Sequence, residues 1–317
     1  MGEQGVAVRA SVSSESQLTE QETDELVKEF EAALDQNLSE AVAAIQTLLK
    51  FIKTCKVGTI SGLRAELKVA TETLIKARTS TVSVSSGCEL FLRFITMTSL
   101  EGQNDFEDLR RKLIKRGDMY LQKVADSRQK IAHIANPFIR DGTTILTHSR
   151  SRVVYCLLKE AMSSGKRIKV FVTASTIDNS GEEMHQLLQD AKVPSKVILD
   201  SAVGFIMEEV DLVIVGAEGV AESGGIINKI GTYQMAVMAK ALNKPFYVVA
   251  ESFKFVRMYP LNQGDLPNDE KYTSVNSSED SHPYIDYSPP QYITLLFSDI
   301  GVLTPSAVSD ELIKLYL

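Results

Sequence analysis

From residue 144 onward the chain repeats one pattern six times: a short apolar run bounded by turn residues. The runs cover 144–147, 169–173, 196–199, 212–215, 246–250 and 294–297 and are rich in Val and Ile. They are too short for helices and lack the apolar–polar alternation of a half-solvated strand, so they read as strands buried on both faces. Stretches with helical spacing lie between several of them, at 152–163, 181–191 and 228–242. Parallel strands need crossover connections, and strand–helix alternation at this spacing predicts a Rossmann-like, doubly wound α/β domain over 136–317.

The front half reads differently. Apolar residues recur at helical spacing from Glu22, with Thr19 and Thr23 as candidate caps, and again over 41–52, 63–77 and 88–100. Gly58 interrupts the pattern, and the small residues of 79–87 read as a link. The stretch 106–135 is long, charged and amphipathic, with a possible break at Gly117. Residues 22–135 are therefore expected to form a helical N-terminal domain, preceded by a disordered polar tail over 1–21. The polar stretch 263–290 reads as a surface excursion, and the apolar end of the chain as a segment docked on the body or on a partner.

Composition removes several functions. Net charge is −7, which argues against direct nucleic-acid binding, although a local basic face is compatible with it. Cys55, Cys88 and Cys156 are too far apart for a zinc site, and their odd number argues against a disulfide framework. No run reaches the ~20 apolar residues of a membrane span. The first residues lack a signal peptide's apolar centre, and Val6 breaks the myristoylation pattern. A cytoplasmic protein with no metal, cofactor or membrane partner is expected.

In a doubly wound sheet, ligands bind beyond the carboxyl ends of the strands. Three segments should meet there. The first, residues 145–152, ends a strand and continues with His148, Ser149, Arg150 and Ser151 as a helix begins. Its hydroxyls either help hold an anion or only cap the helix. The second, 211–219, delivers Glu218 beside Gly216 and Gly219. That carboxylate suits either acid–base work or a bond to a neighbouring amide. In the third, 222–233, Gly224 and Gly225 allow close backbone approach, and Asn228 and Lys229 sit where a helix is expected to begin. Amides and an ammonium suit a phosphate or sugar oxygen; the alternative is a tight turn with Lys229 in solvent. The three-glycine dinucleotide fingerprint is absent, which argues against a nucleotide-dependent dehydrogenase.

Together, 145–148, 213–217 and 228–233 resemble the superfamily that holds methylthioribose-phosphate isomerases, ribose-bisphosphate isomerases and the regulatory subunits of eukaryotic translation initiation factor 2B. The blocks 245–255 and 293–310 are similar to the alpha-subunit branch of that family, and the likeness extends from about residue 40 onward. The isomerases use a cysteine and an aspartate; the resemblance places these on Ser149 and Glu218, and it places Ser61 before Gly62 where they carry an arginine. Asn228, Lys229 and the Gly224–Gly225 turn match. The resemblance thus implies a non-catalytic subunit with a vestigial sugar-phosphate or nucleotide pocket at Ser149, Arg150, Glu218, Gly224, Gly225, Asn228 and Lys229. It also implies a homodimer at the centre of an exchange factor with beta, delta, gamma and epsilon subunits. The family's helical domain is implicated in sensing the phosphorylated alpha subunit of initiation factor two. In this chain Arg110, Arg111, Lys112, Lys115 and Arg116 are the candidate contacts, or else an ordinary solvated helix face. The rival expectation is an active aldose–ketose isomerase.

Overall fold

The computed structural model describes residues 18–35, 38–77, 81–96, 106–266, 271–273 and 281–316. Most of the expected N-terminal tail lies outside them. The front half is five helices: α1 (Glu20–Asp35), α2 (Glu40–Thr54), α3 (Ile60–Lys76), α4 (Thr81–Thr96) and α5 (Phe106–Ala135). Thr19 caps α1 reciprocally: its Oγ1 accepts from the Glu22 amide at 3.3 Å, and the Glu22 carboxylate accepts from the Thr19 amide at 3.0 Å. Helix α2 is the centre, its Ala44, Ile45, Leu48 and Ile52 fully buried among Phe30, Leu74 and Phe91.

Two expectations here are corrected. The small residues expected to form a link are, from Thr81 on, the first turns of α4. Their smallness serves packing, because a Cβ on Gly87 would lie 2.9 Å from the Ala41 Cβ of α2. Helix α5 runs unbroken for 30 residues. Gly117 is buried within it, and Leu49 of α2 occupies the space a side chain there would need. The glycine permits a close helix contact and is not a break.

The second half contains β1 (Thr144–His148), α6 (Arg152–Ser163), β2 (Lys169–Thr173), α7 (Ser180–Asp190), β3 (Ser195–Ile198), α8 (Val203–Ile206), β4 (Leu212–Val215), β5 (Gly219–Ala221) and β6 (Ile226–Lys229). It continues with α9 (Thr232–Ala241), β7 (Phe246–Val249), β8 (Phe255–Val256), β9 (Lys271–Thr273), β10 (Ser281–Pro283), β11 (Ile285–Ser288), β12 (Leu295–Ser298), β13 (Gly301–Leu303) and α10 (Val308–Tyr316). The main sheet has the order β13-β12-β7-β4-β1-β2-β3. All its pairs are parallel except the edge strand β13. The six apolar runs are its six parallel strands, and the order reverses between β1 and β4, where a doubly wound sheet opens its crevice.

Helices of the front half share one continuous apolar core with one face of this sheet, and α5 packs along α6. A smaller sheet, β11-β6-β5-β8, sits beside the crevice. Residues 228–229 therefore end a strand, and the helix starts only at Thr232. The cause is local: Gly231 adopts φ +104°, and the Asp286 carboxylate accepts from the Gly231 and Tyr233 amides at 2.7 and 3.0 Å. The 263–290 stretch is likewise more than a surface excursion, since its end returns as the buried strand β11 paired with β6. Cys55 and Cys88 are buried, Cys156 only partly. The chain end docks through Val308 and Leu312, 0% and 2% exposed. No described helix is long and apolar enough to cross a membrane.

Candidate functional site

The carboxyl ends of β1 and β4 open into a cleft of about 470 Å³, and a smaller recess of about 60 Å³ adjoins it. Ser149, Arg150, Glu218, Asn228 and Lys229 all face the recess, so the three segments meet there. Gly224 and Gly225 line neither cavity. They form the β5–β6 turn, where a Cβ on Gly225 would lie 2.5 Å from the Tyr287 hydroxyl and Gly224 sits against the backbone of Pro305. Their freedom serves strand packing. Ser61 and Arg64 are exposed at the start of α3 and line neither cavity.

The strand end at β1 is sharply turned. Ser149 adopts φ +57°, a left-handed conformation, and is 2% exposed. Its Oγ shares a 2.6 Å hydrogen bond with the Ser180 Oγ. Ser180 in turn donates to Asp178 at 2.6 Å. His148 is buried with its Nδ1 2.6 Å from the Thr173 Oγ1, and burial pushes its pKa down to about 4. Ser151 caps α6, accepting from the Val154 amide at 3.4 Å, so the capping alternative holds for that residue. Gly216 admits the cap: a Cβ there would be 2.5 Å from the Ser151 Oγ.

Lys229 does not reach into solvent. Its ammonium is paired with the Asp178 carboxylate and donates to the Ser180 Oγ at 2.9 Å. Asn228 is 7% exposed and donates to the Thr232 Oγ1 at 3.0 Å, which fixes the turn into α9. Arg150 pairs with Glu183 at 2.7 Å.

Several residues of the site were not singled out from the sequence. Arg152 donates to the Leu38 carbonyl at 2.8 Å, tying α6 to the start of α2. In the wall of the recess Glu251, 1% exposed, accepts from the Arg128 Nε at 2.8 Å and lies 3.6 Å from the Lys254 ammonium. Burial alone would raise the Glu251 pKa, but the two cations outweigh it and hold it at about 2. Lys254 also donates to the Ala217 carbonyl at 2.7 Å. Asp178 stands in the loop before α7 and was missed because nothing about its spacing marks it. No group of three or more metal-ligating side chains occurs among the described residues.

The basic cluster on α5 divides in two. Arg110 and Arg116 are turned inward as helix-end clamps. Arg110 donates to the Ile52 and Lys53 carbonyls at 2.9 and 2.7 Å, and Arg116 to the Phe94 carbonyl at 2.6 Å. Arg111, Lys112 and Lys115 are exposed.

Comparison with known proteins agrees with this architecture. A family model described as the initiation factor 2 subunit family (IF-2B) matches residues 35–305. A Dictyostelium discoideum protein named translation initiation factor eIF2B subunit alpha is 45% identical over 312 residues, covering 92% of this chain and 97% of that one. A ribose 1,5-bisphosphate isomerase of Archaeoglobus fulgidus is 30% identical over 269 residues, 83% of each chain. A solved structure of a tetrameric eIF2B beta–delta complex from C. thermophilum superposes with a TM-score of 0.75 at 19% identity, covering 95% of this chain and 96% of that one, which bears on the fold alone. With the family model spanning the helical half and the doubly wound sheet alike, this chain belongs to the initiation factor 2 subunit family.

Proposed function

We propose that this chain is a non-catalytic regulatory subunit of the guanine-nucleotide exchange factor that reloads translation initiation factor two, and that its cleft holds a phosphorylated sugar or nucleotide without converting it. The observation that carries the reading is the pair facing the recess: a hydroxyl at Ser149 and a glutamate at Glu218. The isomerases this family resembles use a thiol and an aspartate there. An alcohol is a far weaker acid than a thiol, and the extra methylene of glutamate displaces its carboxylate by about 1 Å, a misplacement that is costly to catalysis. The Ser149 hydroxyl is also bonded to another hydroxyl rather than to a base.

In this reading the chain assembles in the cytoplasm with beta, delta, gamma and epsilon subunits around a homodimer of itself, and the alpha-subunit name of the Dictyostelium relative supports its being one subunit of such a complex. The phosphorylated alpha subunit of initiation factor two is the proposed regulatory partner. The exposed Arg111, Lys112 and Lys115 of α5 are the contacts available to its phosphate, while Arg110 and Arg116 brace helices. Purification of the native protein tests the assembly: four other subunits in one particle are expected, and a chain recovered alone would defeat the reading. Charge reversal at Arg111 and Lys115 should abolish discrimination between phosphorylated and unmodified partner.

The archaeal relative keeps a second reading in play, a working aldose–ketose isomerase. An interconversion assay on ribose and methylthioribose phosphates separates the two, and sustained turnover by the isolated chain would select the enzyme.

A further inference from the structure

A second cavity, of about 610 Å³, opens beyond the carboxyl ends of β2 and β3 and shares no wall residue with the cleft or its recess. Its size is that of a small-molecule site. Ile177, Ile230, Tyr233, Leu266 and Ile285 give it apolar walls. One wall is pinned from behind. The Gln263 side chain donates to the Tyr287 carbonyl at 2.7 Å and accepts from the Tyr287 amide at 2.8 Å, which ties the loop bearing Leu266 to β11.

Among the described residues, two acids line this cavity, Asp200 and Asp286, and no lysine, arginine or histidine does. Both acids are held by neutral donors. Asp200 accepts from the Ser175 and Thr176 amides at 3.0 and 3.1 Å. Asp286, 5% exposed, uses its Oδ2 on the Gly231 and Tyr233 amides. These amides begin α9, so Asp286 already occupies the place an anion would take there. Its other oxygen, Oδ1, is buried and has no hydrogen-bond partner among the described residues. A buried acceptor left unmatched is costly and calls for a donor. Burial pushes the Asp286 carboxyl up to about 7, as happens to an acid with no counter-charge beside it. No group of three or more metal-ligating side chains occurs among the described residues, so an organic cation suits the site better than a metal ion.

We propose that this cavity is a binding site for a small organic ammonium compound, its charged head on Asp286 with Asp200 as the second acid, and its apolar body against Ile177, Ile230, Leu266 and Ile285. An ammonium supplies both things the wall lacks, a donor for Oδ1 and a positive charge. The apolar body displaces water from the walls and so strengthens the ion pair. An anion of the same shape would meet two acids and no cation. The site is separate from the phosphate-binding reading of the cleft and stands whether or not that reading holds.

Calorimetric titration of the intact chain at about pH 8 with phenethylamine, and with phenethyl alcohol as its uncharged counterpart, tests this. The wild type should bind the amine with a Kd of about 1 mM or lower, at least about tenfold more tightly than the alcohol. Asp286→Asn keeps an oxygen for the Gly231 and Tyr233 amides and removes the charge. It should weaken the amine at least about fivefold and leave the alcohol within about twofold. Leu266→Trp, at a half-buried position, should fill the cavity and weaken both probes. Equal binding of the two probes by the wild type overturns the proposal, and so does binding of neither. A folded Asp286→Asn protein that keeps the preference for the amine also overturns it. So does a Leu266→Trp protein that binds both probes as the wild type does, which keeps the test decisive if Asp286→Asn fails to fold.

Discussion

Glu251→Gln should cost the fold about 3 kcal/mol while leaving its volume almost unchanged. Glu251 is 1% exposed and sits between Arg128 of the helical half and Lys254 of the sheet domain. Its pKa falls from 4.5 to about 2 on folding. At ~1.4 kcal/mol per decade of proton affinity, that drop corresponds to about 3 kcal/mol of stability. Removing one partner of a buried pair independently suggests ~3–5 kcal/mol, because the cations left behind remain desolvated. The pH dependence has a definite sign. A carboxyl whose pKa is depressed in the folded state contributes fully above about pH 4.5 and loses that contribution as pH falls toward 2. Urea denaturation followed by circular dichroism should show a constant deficit for the variant across neutral pH and a shrinking one in acid. Replacing both members of the salt bridge, Glu251→Leu with Arg128→Met, should restore part of the loss, since only Lys254, which keeps its bond to the Ala217 carbonyl, is then left without its carboxylate. A deficit below ~1 kcal/mol, or a double variant no better than the single one, would refute the view that this pair is a desolvated joint between the halves.

Two other perturbations read separate parts of the molecule. Burial pushes the Asp286 carboxyl up to about 7 against the backbone N–H groups of Tyr233 and Gly231, so its folded form holds a proton that its unfolded form releases. This residue's contribution must decline as pH rises from about 4 to about 7. Asp286→Asn should therefore gain on the wild type by about 2–3 kcal/mol between mildly acid and mildly alkaline urea titrations. A pH-independent difference would refute the assignment. On α5, Arg110→Met should lower stability by about 1–3 kcal/mol, because two terminal carbonyls of α2 lose their donor. Arg111→Glu, at an exposed position, should stay within about 0.5 kcal/mol in the same measurement.

The main sheet was legible because strands buried on both faces leave unbroken apolar runs, and each of the six lies within two residues of its expected place. Residues 228–231, expected to open the helix over 228–242, misled because a short segment is ambiguous between helix and strand. Gly231 was the available signal, since a left-handed turn separates the strand from the helix. The Gly117 and Gly87 positions failed in the other direction. A glycine looks like a breaker in sequence, and only the helix packed against it shows that its purpose is close approach. At the site, Ser149 and Glu218 were legible as strand-end residues, and Lys229 as an anion contact, although at an expected helix start. Arg128, Asp178, Glu251 and Lys254 were not, because they come from α5 and from loops after other strands. Their significance is a matter of juxtaposition, which no local spacing records.

That juxtaposition also says what kind of site this is. A general acid or base works best with a pKa near the operating pH. Around the cleft burial lowers the Arg152 pKa, but the acids, the phenol and the imidazole displaced from their ordinary values move away from neutrality. His148 falls to about 4 and Glu251 to about 2, Asp178 drops further, and the Tyr284 phenol rises. Burial and fixed partners thus lock these groups in single charge states across the physiological range. Asp286, the group brought to neutrality, lines a different cavity on the far side of β6 and α9's first turn, and is absent from the cleft wall. A cavity whose charges do not change with a proton is poorly built for moving one. It is well built for recognising an anion, because preorganised charges reward a complementary ligand without rearranging.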